Sequence, residues 1–141
     1  MIILYRPTGT ERIEWFAKNA STVMAFSEAV TIDSNGYIAP STATSTPGIT
    51  GLVYRQVKAT DSDYASTTRV PVLVPRSDTV FLADVGTGTA AQTNIGEFKD
   101  LADSKNVDVT ADTYGHVFVV DVISTSQVLV RFAQKGGPAA G

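Results

Sequence analysis

The sequence predicts an all-β fold, a small β-barrel or sandwich with one short helix and an extended amino-terminal arm. The first observation is composition: the 141 residues include 17 Val, 18 Thr and 11 Ser, against 11 Lys+Arg and 14 Asp+Glu. Abundant Val and Thr favour strands. The second observation is that short apolar runs are separated by Gly, Asn and Pro turns, as in barrels and sandwiches. A chain of this length is expected to form one domain with its own core.

Turn residues bound most of the predicted strands. Asn35-Gly36 tolerates positive φ at low cost, so the run 33–36 predicts the turn of a hairpin. Gly51 inside a strand indicates a bulge or a close backbone approach, and Pro71 indicates an edge strand. The predicted strands cover residues 22–26, 29–33, 49–57, 68–74, 80–85, 116–123 and 127–132, with a return strand starting at 37.

One segment has the pattern of a short helix, residues 94–104. Asn94 can cap its amino terminus, with Glu97 three residues later. Phe98, Leu101 and Ala102 then share one helical face.

The leading 21 residues differ from the remainder of the chain and are interpreted as an extended arm outside the barrel core. We therefore divide the chain into the arm at 1–21, a β-barrel domain at 22–135 and a flexible tail at 136–141. The barrel is expected to fold without the arm, whose aromatic side chains either fold back or anchor to another chain. The candidate contact residues of the arm are Ile2, Leu4, Tyr5, Trp15 and Phe16.

Charge and composition argue against several classes of function. The net charge of −3 provides no basic field for nucleic acid. No apolar run is long enough for a membrane span, and the first residues lack the pattern of a signal peptide, so we expect neither. With no cysteine and one histidine, disulfides, thiolate chemistry and transition-metal sites are not expected, and no cofactor is predicted.

Three patterns in the sequence are candidate catalytic or ligand-binding sites. Residues 86–91 match the outline of a dinucleotide fingerprint, but no helix follows at once, which favours a flexible loop. His116 is expected at the surface end of a strand. Five Asp residues between Asp100 and Asp121 favour a solvated face, with a docking surface or a catalytic pair as alternatives. We therefore expect no enzyme and no small-molecule substrate.

Several motifs between about residues 22 and 133 resemble the small head decoration proteins of tailed phages. The likeness begins with the segment 22–33, its Asn-Gly turn and a loop of small residues. It continues in five runs of sequence, which are Gly48-Ile49-Thr50-Gly51-Leu52-Val53, Asn94-Ile95-Gly96-Glu97-Phe98-Lys99-Asp100-Leu101, Asn106-Val107-Asp108-Val109, and the apolar strands 116–122 and 128–132.

This resemblance implies a capsid decoration, or cement, protein. Such a protein is made in the host cytoplasm, binds the outer surface of the capsid as a homotrimer and reinforces contacts between major capsid protein subunits. The arm would lie along the capsid surface. Two alternatives remain open from the residues: a tail or fibre module that binds a receptor or glycan, and a small Asp-dependent hydrolase.

Overall fold

The computed structural model of the protein describes residues 1–46 and 48–135, so the predicted tail at 136–141 lies outside the described residues. The described chain is all-β, as predicted, and its strands form two sheets. The strands are β1 (Ile2–Arg6), β2 (Arg12–Ala17), β3 (Ala29–Ile32), β4 (Ile38–Pro40), β5 (Gly51–Val53), β6 (Arg69–Val74), β7 (Val80–Thr87), β8 (Phe98–Asp103), β9 (Asn106–Asp108), β10 (Val117–Ser124) and β11 (Gln127–Phe132).

The first sheet closes into a five-stranded barrel. Its order is β7-β11-β10-β8-β9, and a parallel pairing of β9 with β7 completes the ring. Strand β1 pairs with the same edge of β7 as β9 does, ahead of β9 along β7, with Ile2 opposite Ala83. The barrel interior is filled by alternate strand residues, and the rings of Phe81 and Phe132 stack with their centroids 4.6 Å apart.

The second sheet has the order β2-β6-β5-β3-β4 and curls around a smaller core. Its two edges meet at one end, where Lys18 forms a parallel bridge with Ile38. Val30, Val53 and Val72 face this smaller core. The opposite face of the sheet packs in part against the barrel.

Several expected features are confirmed. Asp33 accepts hydrogen bonds from the amides of Asn35 and Tyr37, and Gly36 has φ +85°, so the run 33–36 is the turn between β3 and β4. A Cβ on Gly51 would collide with the carbonyl oxygen of Leu73, so this glycine allows a close approach between β5 and β6. The last predicted strand, 127–132, coincides with β11.

The predicted helix at 94–104 is wrong. The helical residues of this region form a three-residue 3-10 turn, Gln92–Asn94, and Phe98–Asp103 is strand β8. Gly96 with φ +87° interrupts any helix, and Phe98 instead pairs with Phe118 of β10. Tertiary pairing therefore overrides the local helical pattern.

Two predicted strands are also corrected. Residues 22–26 form no strand, because only Met24 makes a bridge there, to Val57. Pro71 lies in β6, an interior strand rather than an edge. Its carbonyl accepts from the amide of Tyr54, just past the end of β5, so the side of Pro71 that lacks an N–H faces the point where the pairing of β5 with β6 ends.

The leading segment is extended, as expected, but it does not lie outside the core. Its first half is β1 in the barrel sheet and its second half is β2 in the second sheet. Ile2 is fully buried in the barrel core, and its carbonyl accepts a hydrogen bond from the hydroxyl of Ser27. The expectation that the arm lies apart from the core is therefore wrong for these residues.

Candidate functional site

The second sheet carries a row of apolar side chains across its outer face. Trp15 of β2 lies opposite Pro71 of β6. On the other side of Pro71, the amide of Tyr54 donates to the Pro71 carbonyl at 2.9 Å. Opposed residues of antiparallel strands direct their side chains to the same face. The ring of Phe26 stacks on that of Tyr54, with centroids 5.2 Å apart and an angle of 29°. These four residues are called the aromatic row.

The aromatic row is an exposed part of a face that becomes buried further along β5 and β6. Trp15 is 56% exposed, Tyr54 37% and Phe26 61%. Leu73 and Leu52 lie on the same face, two residues further along their strands, and both are buried in the barrel core. Large apolar side chains grouped on a surface mark sites where another molecule binds. The row therefore forms a candidate docking surface.

The turn that carries Phe26 is fixed by several hydrogen bonds. The amide of Ser27 donates to Val53 at 2.6 Å, and Ser27 has a positive φ of 65°. The Glu28 carboxylate accepts from the amide of Ala25 at 3.1 Å and from the hydroxyl of Ser104 at 2.6 Å. Phe26 is thus held on a rigid turn, which lowers the conformational entropy lost on binding.

A cation lies at the β2 end of the row. The exposed guanidinium of Arg69 donates to the carbonyl oxygen of Trp15 at 3.1 Å. Arg69 is opposite Ala17, the neighbour of Trp15 on the same face of β2. Trp and Arg are among the residues that contribute most to binding at protein interfaces.

The structure does not bring the five predicted contact residues together. Ile2 is buried in the barrel core, and Leu4 is half-buried against it. Tyr5 is exposed at an irregularity in β1. Phe16 packs against the core of the second sheet, which leaves Trp15 as the predicted residue that belongs to the aromatic row.

His116 is not at the surface, which corrects the sequence-based expectation. It is fully buried, its Nε2 lies 2.8 Å from the carbonyl oxygen of Ser45, and its ring stacks parallel to that of Tyr114. Asp100, expected on a solvated face, is also buried, and it accepts from the amides of Tyr114 and Gly115 at 2.8 and 2.6 Å. Both side chains hold backbone in place.

The glycine run at 86–88 has a structural use. Strand β7 continues through Thr87, so the first part of the run is strand rather than the flexible loop expected. Gly86 lies against the side chain of Asn106, where a Cβ would not fit. The structure shows no α-helix directly after this run, and a phosphate cradle of the dinucleotide type requires one.

The carboxylates are distributed among separate turns. Asp61 accepts from the amide of Lys58, Asp103 from that of Lys105, and Asp108 from that of Thr110. Among the described residues, no group of three His, Asp or Glu side chains is placed to hold a metal ion. Within the same residues, no helix is long and apolar enough to cross a bilayer.

Comparison of the chain with family models, with curated proteins and with solved structures finds no match. The fold and the aromatic row therefore define an all-β protein with a candidate docking surface on its smaller sheet.

Proposed function

We propose that the protein is a structural virion protein that decorates the outer surface of a tailed-phage capsid and stabilises contacts between major capsid protein subunits. The observation that carries this proposal is the aromatic row. It presents an exposed apolar strip on a rigid sheet, as expected of a protein that binds a large partner by surface area.

The chemistry of the row supports a protein partner. Burying a large apolar side chain contributes about 1.5–3 kcal/mol, so the exposed rings of Trp15, Tyr54 and Phe26 together can support a stable contact. As a homotrimer, the protein would present the row three times. Binding of the three rows to the capsid at the same time then raises the overall affinity by a factor of roughly 10²–10⁴ over that of a single row.

The test is co-sedimentation with empty capsids of the phage that carries the gene. The double variant Trp15→Ala/Phe26→Ser should weaken capsid binding by at least about tenfold, because each of its two substitutions removes exposed apolar area. Ile123→Ser is the matched control. It removes a side chain that is 50% exposed on β10 of the other sheet, and it should bind as the parent does. Equal binding by the double variant and the parent would contradict the proposal.

The proposed trimer has its own measurement. Light scattering at micromolar concentration should give about three times the 14.9 kDa mass of the chain, or a monomer that trimerises only on the capsid. A stable dimer in solution counts against this assembly.

A second candidate function is that of a tail or fibre module that binds a glycan. The near-parallel rings of Phe26 and Tyr54 favour it, because sugar rings stack on exposed aromatic faces. Polysaccharide from the host surface is the distinguishing probe. Binding to that polysaccharide but not to capsids, lost in the double variant, would select this function.

A further inference from the structure

The outer edge of β2 has backbone groups that point away from its own sheet. β2 pairs with β6 from Arg12 to Ala17. One residue further along the same register, the amide of Lys18 donates to the Thr68 carbonyl at 3.1 Å. In an antiparallel pair, hydrogen-bonded residues alternate with residues whose N–H and C=O point outward. The outward residues of β2 are therefore Ile13, Trp15 and Ala17.

This open edge is short and has a defined end. At the carboxyl end of β2, the amide of Asn19 donates to Ile38 at 3.0 Å, so β4 covers the edge there. Ahead of that point, Ile13 and Trp15 combine outward backbone groups with side chains that are 45% and 56% exposed. An edge with exposed apolar residues and unpaired backbone groups is a template for another strand.

We propose that this edge of β2 accepts an extended strand of the capsid protein, which adds to the second sheet beside the aromatic row. The inference rests on the proposed function and names how the partner is held. Backbone hydrogen bonds to Ile13 and Trp15 give affinity, and the side chains of alternate partner residues lie over the same face as the row. Those side chains should be apolar, because Ile13 and Trp15 are their cross-strand neighbours.

A second copy of this chain fits the edge less well than a foreign strand. Antiparallel self-pairing centred on Glu14 places two carboxylates directly opposite each other, which is destabilising. Centring on Trp15 requires the far side of Ala17, where β4 lies. Centring on Ile13 places Trp15 opposite Glu11, whose carboxylate is bound within the turn that precedes β2.

The incoming strand also has a competitor to displace. The guanidinium of Arg69 occupies the outward carbonyl of Trp15 in the free protein. A partner amide would replace it and release the cation toward the partner. The carbonyl of Ile13 has no such competitor among the described residues.

The first experiment compares variants at a single position in the capsid co-sedimentation assay. Ile13→Pro removes the outward N–H without removing a bond to β6, whereas Ile13→Ala shortens the side chain and keeps the N–H. Ile13→Pro should bind capsids at least about tenfold more weakly than Ile13→Ala. Circular dichroism and melting of both variants report whether β2 remains folded.

The second experiment uses the unmodified protein and so does not depend on how the variants fold. Hydrogen exchange should show the amides of Ile13 and Trp15 exchanging freely in solution and slowing by at least about tenfold on capsids. The amides of Glu14 and Phe16, which already bond to β6, serve as internal controls. Unchanged exchange at Ile13 and Trp15 on bound protein would overturn strand addition.

The outcomes separate the two proposals. If the aromatic row variants lose binding while Ile13→Pro matches Ile13→Ala, the protein docks by side chains alone and strand addition is wrong. If Ile13→Pro changes the mass of the protein in solution rather than its capsid binding, the occupant is a second copy, which also overturns the inference. If no variant affects capsid binding, the proposed function itself fails.

Discussion

The backbone amide of Leu101 donates a hydrogen bond of 3.0 Å to Nδ1 of His116, inside the barrel. Because Nδ1 accepts, Nε2 is the ring nitrogen that carries the proton, and it donates to the carbonyl of Ser45 at 2.8 Å. The imidazole is therefore held as one neutral tautomer that joins β8 to the loop containing Ser45. This arrangement uses both ring nitrogens for structure.

Replacing His116 by Ala should destabilise the protein and leave its docking surface intact. The variant leaves two backbone groups, the Leu101 N–H and the Ser45 carbonyl, without partners, at a cost of about 1–3 kcal/mol each. Urea unfolding measures the loss. Tyr114→Phe is the control, since it keeps the stacked ring and both hydrogen bonds. Capsid binding of the folded His116→Ala variant should stay within about threefold of the parent. A stability loss below about 1 kcal/mol would contradict the structural role of the two hydrogen bonds.

Deleting residues 1–16 should unfold the protein, contrary to the expectation from sequence. The deletion removes all of β1 and most of β2, including the buried side chain of Ile2. Ile2→Ala alone should cost about 2–5 kcal/mol, as large-to-small changes in a core do. Tyr5→Ala, at an exposed position of the same strand, should change stability by less than about 0.5 kcal/mol. Thermal melting of the three variants measures these effects. A cooperative melt of the truncated protein near the melting temperature of the parent would contradict the claim that residues 1–16 are required for folding.

The parts of the fold that could be predicted from sequence depend on local signals. Asn35-Gly36 specifies its hairpin turn because few residues adopt positive φ, and the short apolar run that forms β11 needs no distant partner to be recognised. The helix predicted at 94–104 has a local signal too, but pairing of Phe98 with Phe118 outweighs it. The closing pair of the barrel, β7 with β9, joins segments about twenty residues apart and has no sequence signature.

The candidate site shows the same limit. Trp15 was identified from sequence because a lone Trp in a leading segment suggests an anchor. Phe26, Tyr54 and Pro71 were missed, since they join the aromatic row only through the register of β2, β6 and the segment after β5. A shift of one residue would turn Trp15 to the opposite face. Register across distant strands is set by packing and cannot be read from the residues of one strand.

Asp84 provides a prediction for acid stability. Its carboxylate accepts from the amino-terminal ammonium of Met1 at 2.9 Å and from the side chain of Gln127 at 3.2 Å. These hydrogen bonds hold the pKa of Asp84 below its ordinary value of 3.8. A lowered pKa stabilises the fold above the ordinary value, and that contribution is lost as the pH falls through the folded-state pKa.

Asp84→Asn should therefore narrow the gap in melting temperature between about pH 6 and about pH 2.5, because the variant lacks this titrating group. Asp121→Asn is the matched control. Asp121 is exposed and, among the described residues, its side chain bonds only to the amide of the adjacent residue, so this variant should keep the melting-temperature gap of the parent. If Asp84→Asn and the parent lose equal stability in acid, the contact with Met1 does not stabilise the fold.

Lys18 is a buried cation bound by backbone carbonyls. Its Nζ donates to Tyr64 and Ser66 at 2.7 Å each and to Asn19 at 3.2 Å. Burial lowers the pKa of Lys18 below 10.5, and the nearby charge of Asp63 opposes that shift. Because the unfolded chain holds this proton more tightly, stability should rise with pH between the lowered pKa and the ordinary one.

Lys18→Met should destabilise the protein by about 2–4 kcal/mol, because three carbonyl oxygens lose their donor inside the fold. A hydrophobic residue in place of a buried charge is often tolerated where the partner charge is replaced as well, but here the partners are backbone groups that stay in place. Lys58→Met is the control, since Lys58 is exposed and its replacement should change stability by less than about 0.5 kcal/mol. Urea unfolding near pH 7 and again near pH 10 measures both effects, and the gain in stability at the higher pH should be smaller in Lys18→Met than in the parent. A Lys18→Met protein as stable as the parent would show that water reaches these carbonyls, and that the buried ammonium does not hold the loop at residues 64–66 to the end of β2.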